Sequence, residues 1–136
     1  MTQNSTVWVA DDDKSIRWVL EKALTQAGID TRSFETGDAL LAHLETGAPD
    51  AVISDIRMPG MDGLKLLSRI GDIHPGLPVI ITTAHSDLDS AVASYQGGAF
   101  EYLPKPFDVD EVVATTQRAL QHAEKNKATL PEEQPL

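Results

Sequence analysis

The sequence predicts a doubly wound α/β fold: a five-stranded parallel sheet with five helices on its two faces. Three observations carry this. Short β-branched apolar runs alternate five times with amphipathic stretches at helical spacing, and strands that alternate with helices imply crossover connections between parallel strands. Several of the runs are apolar throughout, as strands covered on both faces are. The 136 residues are 41% apolar but only 5% aromatic, enough for one domain with a core of Val, Ile, Leu and Ala.

The elements follow in order. The first strand is Val7 to Ala10. The helix after it carries Ile16, Val19, Leu20, Ala23, Leu24 and Ala27 on one stripe, with Gly28 as its stop. Asp30 to Phe34 is a more polar strand, expected near an edge. Thr36, Gly37 and Asp38 open a second helix with Leu40, Leu41 and Leu44. Ala51 to Ser54 is the third strand. Leu66, Leu67, Ile70 and Ile73 stripe the third helix, which His74, Pro75 and Gly76 end. Pro78 to Thr82 is the fourth strand. Ser86 with Asp89 caps a fourth helix over about 87–96, with Leu88, Ala91, Val92 and Tyr95 as its apolar face. Phe100 to Leu103 is the fifth strand, and Asp108 with Glu111 opens a last helix striped by Val109, Val112, Val113, Thr116 and Leu120. Periodicity ends near Glu124, so residues 1–124 are expected to form the domain and 125–136 a flexible tail or the start of a linker.

Composition narrows the function. Eleven basic against 21 acidic residues give a formal charge of −10, which disfavours direct nucleic-acid contact and docking on an anionic membrane. There is no cysteine, hence no disulfide, thiolate metal site or cysteine nucleophile. No apolar run approaches the ~20 residues that span a bilayer, and the N-terminus lacks the pattern of a signal peptide. A cytoplasmic domain is expected. The four histidines, at 43, 74, 85 and 122, show no metal-ligand spacing.

The chemistry gathers at strand ends. Asp11, Asp12 and Asp13 follow the first strand directly, and Asp55 follows the third. In open α/β sheets these ends face the ligand crevice. Converging carboxylates repel, and a divalent cation or a buried lysine relieves them. Lys105, after the fifth strand, is the candidate lysine, and Mg²⁺ the candidate ion. Taken alone, Asp11 to Asp13 is most simply a helix N-cap with first-turn acids, and Asp55 a solvated loop acid. Neither explains both clusters at central strand ends together with Thr83 and Lys105 at two more.

Those residues carry a resemblance. Asp12 and Asp13, the run Ser54 to Gly63 (SDIRMPGMDG), Thr82 to His85 (TTAH) and Tyr102 to Phe107 (YLPKPF) resemble the receiver domain of two-component response regulators, over about residues 6–124 and in the family's order. The likeness is strongest to the family's nitrogen-regulatory branch. It implies a flavodoxin-like (CheY-like) sheet in the order 2-1-3-4-5. It implies Asp55 as the phosphorylated residue and as a Mg²⁺ ligand, with Asp12, Asp13 and the backbone carbonyl of Arg57. Lys105 would pair with the phosphoryl group, the Thr83 hydroxyl would bond it, and Tyr102 would reorient on activation. The implied partner is a sensor histidine kinase. In a longer protein the implied output is an ATPase domain and a DNA-binding domain acting with RNA polymerase and an alternative sigma factor. Phosphorylation-dependent homodimerisation is a further expectation.

Three other functions fit less well. A Mg²⁺-dependent phosphohydrolase with an aspartyl nucleophile needs an Asp-x-Asp pair, which Asp11 and Asp13 supply, but also a cap domain for which this length leaves no room. A degenerate receiver that only mediates contacts has no need of the full set of site residues; a stand-alone receiver without an output domain remains an alternative. A flavin-binding electron carrier needs Ser, Thr and Gly in its first loop, where Asp11, Asp12, Asp13 and Lys14 would repel a phosphate. Trp8 is expected in the core and Trp18, off the first helix's stripe, on the surface.

Overall fold

The computed structural model describes residues 5–84, 92–93 and 95–132. Five parallel strands form one sheet in the order β2-β1-β3-β4-β5: β1 (Thr6–Ala10), β2 (Asp30–Phe34), β3 (Ala51–Asp55), β4 (Val79–Ala84) and β5 (Glu101–Lys105). Four helices are complete among the described residues: α1 (Lys14–Gln26), α2 (Gly37–Leu44), α3 (Gly63–Ile73) and the C-terminal α4 (Val109–Glu132). Most of the expected helix between β4 and β5 lies outside the described residues, although the backbone is helical at 92–93 and 95–96.

The predicted architecture is the observed one, and burial explains it. All five residues of β3 are buried, and β2 at the edge is half polar. Two apolar layers sandwich the sheet. Leu20 and Leu24 of α1 and Val112 and Ala119 of α4 pack on one face with Val7, Val9, Ile53 and Ile80. Leu40 and Leu44 of α2 and Leu66, Leu67 and Ile70 of α3 pack on the other with Trp8, Val52 and Ile81. Side chains alternate across a strand, so one run feeds both layers. Trp8 is core, edge-on to Phe34, whereas Trp18 is 61% exposed with the Lys22 ammonium over its ring.

The structure departs from the sequence reading in four places. β4 and β5 run two residues further than their apolar runs, because Thr83 pairs with Pro104 and Ala84 with Lys105 in the ladder. Val109 and Ile73 fall outside the buried faces of their helices, and Val92 and Tyr95, expected on an apolar face, are exposed. Thr115, Thr116, Ala119 and Ala123 complete the buried face of α4, with the Thr116 hydroxyl bonded to the Val112 carbonyl at 2.7 Å. α4 also continues to Glu132, past the point where apolar periodicity stops.

Side chains cap the helices that begin at the top of the sheet. Asp13 caps α1, accepting from the Ser15 and Ile16 amides; Thr36 caps α2 through the Ala39 amide; Asp62 caps α3 through the Lys65 amide at 2.8 Å.

Truncating Leu24 to Ala, fully buried between α1 and the sheet, should cost about 2–5 kcal/mol. Trp18→Ala on the same helix should change stability by no more than about 0.5 kcal/mol. Urea unfolding of the two variants checks the contrast.

Candidate functional site

The site is a consequence of parallel register. Ala10 pairs with Ser54, so the residues that follow, Asp11 and Asp55, emerge side by side at the carboxyl ends of β1 and β3. Asp55 pairs with Thr82, and Ala84 with Lys105. The lysine therefore starts two strands from the aspartate, and its long side chain reaches back across β4. Its ammonium donates to Asp55 Oδ1 at 3.1 Å and to Asp11 Oδ2 at 3.2 Å. The Lys105–Pro106 peptide bond is cis.

Asp11 is 2% exposed and Asp55 8%. With Asp12, which is exposed, they present one carboxylate oxygen each within 4.8 Å of one another. Asp13, expected among the metal ligands, does not join them. Its carboxylate turns to the α1 N-terminus as the cap, at 2.9 Å from the Ser15 amide, while its own amide donates to Asp11 Oδ1 at 2.8 Å. Asp11 takes the inner place. The register of the Asp triplet is thus one residue earlier than the sequence reading had it. α1 starts at Lys14, so Asp13 precedes it and serves as its cap.

Backbone and side-chain bonds hold the loops in place. The Asp11 amide bonds to the Phe34 carbonyl at 3.1 Å, and the Arg17 guanidinium, on the first turn of α1, donates to the Asp11 carbonyl at 2.6 Å. Past Asp55 the ladder continues through the Ile56 amide to the Thr82 carbonyl at 2.8 Å. Arg57 then turns to the surface at the rim, and Tyr102 is half-buried against the apolar layer of α2 and α3. His85 lies outside the described residues.

Two features are unusual energetically. Burial pushes the Asp55 carboxyl above its ordinary 3.8; Lys105 opposes this, and repulsion from Asp11 adds to it. Burial by itself would lower the Lys105 ammonium, but Asp11 and Asp55 outweigh it and hold the group above its ordinary value. The second feature is the Thr83 hydroxyl. Thr83 is 1% exposed, and among the described residues its buried Oγ1 has no hydrogen-bond partner, an arrangement native proteins rarely leave without a purpose.

Chemically, one ammonium faces three carboxylates, and the residual charge on hard oxygen donors suits a hard divalent cation. The buried acceptor, the ammonium and the idle hydroxyl all lie at strand ends, where an anion entering the crevice would meet two donors.

Comparison with known proteins gives a consistent result. Residues 7–117 match the response regulator receiver domain family. The chain is 62% identical over 120 residues to the DNA-binding transcriptional regulator NtrC of Salmonella typhimurium, covering 88% of this chain and 26% of that protein. The solution structure of the apo receiver domain of nitrogen regulatory protein C, also 62% identical, superposes with a TM-score of 0.80 over 89% of this chain and 98% of that one. NtrX from Brucella abortus in complex with ADP, 32% identical, superposes with a TM-score of 0.89 over 98% of this chain and 31% of that one. The chain thus spans about a quarter of the length of the NtrC it matches.

Because the folded state raises the Asp55 pKa, the ionised group opposes folding. That penalty is absent below the unfolded value of 3.8, grows as pH rises through the folded value, and is complete above it. Asp55→Asn should therefore stabilise the metal-free protein at pH 7, with the gain vanishing in acid. Thermal unfolding of both proteins across pH 3 to 8 reads the difference.

Proposed function

Because the chain belongs to the response-regulator receiver family, we propose that it is a phosphorylation switch that accepts a phosphoryl group on Asp55. The single observation that supports this most is Lys105 bridging Asp55 and Asp11 beside an unpartnered Thr83 hydroxyl. The donor is a phosphohistidine on a sensor histidine kinase. The Asp55 carboxylate attacks phosphorus, the phosphorus–nitrogen bond breaks, and the histidine leaves with its electron pair. The product is an acyl phosphate.

Charge spreads over the equatorial oxygens during such a transfer, so the protein must offer cations and aligned donors. Lys105 is free to exchange its Asp55 bond for a phosphoryl oxygen while keeping Asp11. Thr83 donates its idle hydroxyl. Mg²⁺, when bound, neutralises charge between the carboxylates and the phosphoryl group. Its protein ligands would be Asp55, Asp12 and the Arg57 carbonyl, with Asp11 in the place first given to Asp13.

The domain turns over no substrate other than its own phosphoryl group. Residues 1–124 form the receiver, and the stretch from 125 onward begins a connection to an output domain, a role to which the unbroken run of α4 to Glu132 is suited. In the whole protein that output is an ATPase and DNA-binding activator of transcription in nitrogen regulation, working in the cytoplasm with alternative-sigma RNA polymerase and pairing as a homodimer on phosphorylation. No helix among the described residues is long and apolar enough to cross a membrane.

The signal leaves through the segment between β4 and β5. Thr83 moving toward the phosphoryl group frees space for Tyr102 to turn, and the neighbouring backbone follows. The end of that segment is lightly tied: the Tyr95 hydroxyl donates to Glu101 at 3.1 Å, and Arg118 of α4 stands 3.9 Å from the same carboxylate. Burial and the Glu101 charge hold the Tyr95 hydroxyl above its ordinary pKa.

Three outcomes are expected. With Mg²⁺ and a small phosphodonor, mass spectrometry should find one acid- and base-labile phosphate on Asp55, and Asp55→Asn should take none. A phosphate that persists in the variant at the wild-type rate would sink the assignment. Calorimetry should find Mg²⁺ binding weakened by Asp11→Asn and Asp12→Asn, whereas Asp13→Asn, which keeps a capping oxygen, should leave it near wild type. Hydrogen exchange with and without a phosphoryl mimic should change mainly over residues 84–103 and leave α1 unaltered.

A further inference from the structure

We infer that Gly63, the first residue of α3, is a positioning residue for phosphoryl transfer, setting where Asp55 stands; this rests on the receiver reading above. The helix begins directly against the end of β3. A Cβ on Gly63 would lie 2.7 Å from the Ile56 Cα and 3.1 Å from the Asp55 carbonyl carbon, and nearer still to the Asp55 carbonyl oxygen. These are backbone atoms, so no flexible side chain can yield. The Gly63 amide donates to the Ile56 carbonyl at 2.8 Å and closes the 56–63 loop on itself. Glycine is otherwise a poor choice for a helical position, where alanine is intrinsically favoured. A Cβ on Gly71 in the same helix would meet nothing within 4 Å. The contrast separates a glycine that close packing requires from one that it does not.

The contact reaches the acceptor itself. Asp55 has its carbonyl against Gly63 and its carboxylate against Lys105. Ile56, pinned between the Thr82 carbonyl and the Gly63 amide, leads into Arg57, whose carbonyl is the proposed metal ligand. Any side chain at 63 must push α3 away or displace the Asp55–Ile56 peptide. Either movement misplaces the attacking oxygen relative to Lys105 and Thr83, while the apolar stripe of α3, Leu66, Leu67 and Ile70, can still hold the helix on the sheet.

The test compares Gly63→Ala with Gly71→Ala and with Leu67→Ala, which weakens the same helix through its buried face. Phosphorylation by phosphoramidate and Mg²⁺ is measured where each protein is folded. Gly63→Ala should be slower by about 100-fold, the order expected of an ångström-scale misplacement, and Gly71→Ala and Leu67→Ala should keep the wild-type rate. A folded Gly63→Ala at the wild-type rate, or an equal loss in Leu67→Ala, would overturn the inference. Should Gly63→Ala not fold, Asp62→Ala and Asp62→Ser decide. Both remove the charge, but only Ala loses the α3 cap, so Asp62→Ala must be the slower. Equal rates would overturn the inference. If the wild-type chain takes no phosphate on Asp55, the receiver reading fails instead. The carbonyl-carbon NMR resonance of Asp55 then tests the contact alone: it must move in Gly63→Ala and not in Gly71→Ala.

Discussion

Electrostatic repulsion among Asp11, Asp12 and Asp55 is the constraint around which this end of the molecule is arranged. Two of the three are buried, and their oxygens gather within 4.8 Å. Carboxylates so placed repel one another. Lys105 supplies one positive charge, shared between two of them at 3.1 and 3.2 Å. Burial raises the Asp55 pKa despite the lysine.

The scaffold exists to hold that tension. A parallel sheet brings β1, β3 and β5 to a common edge, and two apolar layers keep the strands from sliding. A register slip of one residue would turn Asp11 or Asp55 to the opposite face and dismantle the cluster. The loops are fastened separately, by Arg17 on the Asp11 carbonyl and by the Gly63 amide on the Ile56 carbonyl. Beyond β4 the ladder continues into β5. There the side-chain ties run through a half-exposed tyrosine, a glutamate and an arginine at 3.9 Å. Exposed pairs of this sort contribute little, on the order of 0–1 kcal/mol. Asp55 has a firm seat at the ends of β1 and β3.

Much of this was legible in the amino-acid sequence, because its causes are local. Helical and strand periodicities are set by backbone geometry, so five alternations of the two determined an α/β fold with a parallel sheet. Asp55, Thr83 and Lys105 were legible as site residues because each sits at or near the end of an apolar run, and runs of that kind end at the crevice. Trp8 inside and Trp18 outside followed from the same periodicity.

What the tertiary structure alone decided depends on contacts between distant residues. Three adjacent aspartates look alike in sequence. Only the packing of α1 against the sheet makes Asp13 the cap and sends Asp11 to Lys105, 94 residues away. Thr83 and Lys105 lie within strands, not beyond them, because each completes a ladder with a neighbour that the apolar pattern does not mark. That no described residue bonds the buried Thr83 hydroxyl is likewise decided by packing. At Gly63 nothing in the sequence pattern marks a constraint, and only the approach of a helix start to a strand end brings its Cα against the Asp55–Ile56 backbone. Periodicity is a property of one segment, whereas register, caps and close backbone approach are settled by pairs of segments.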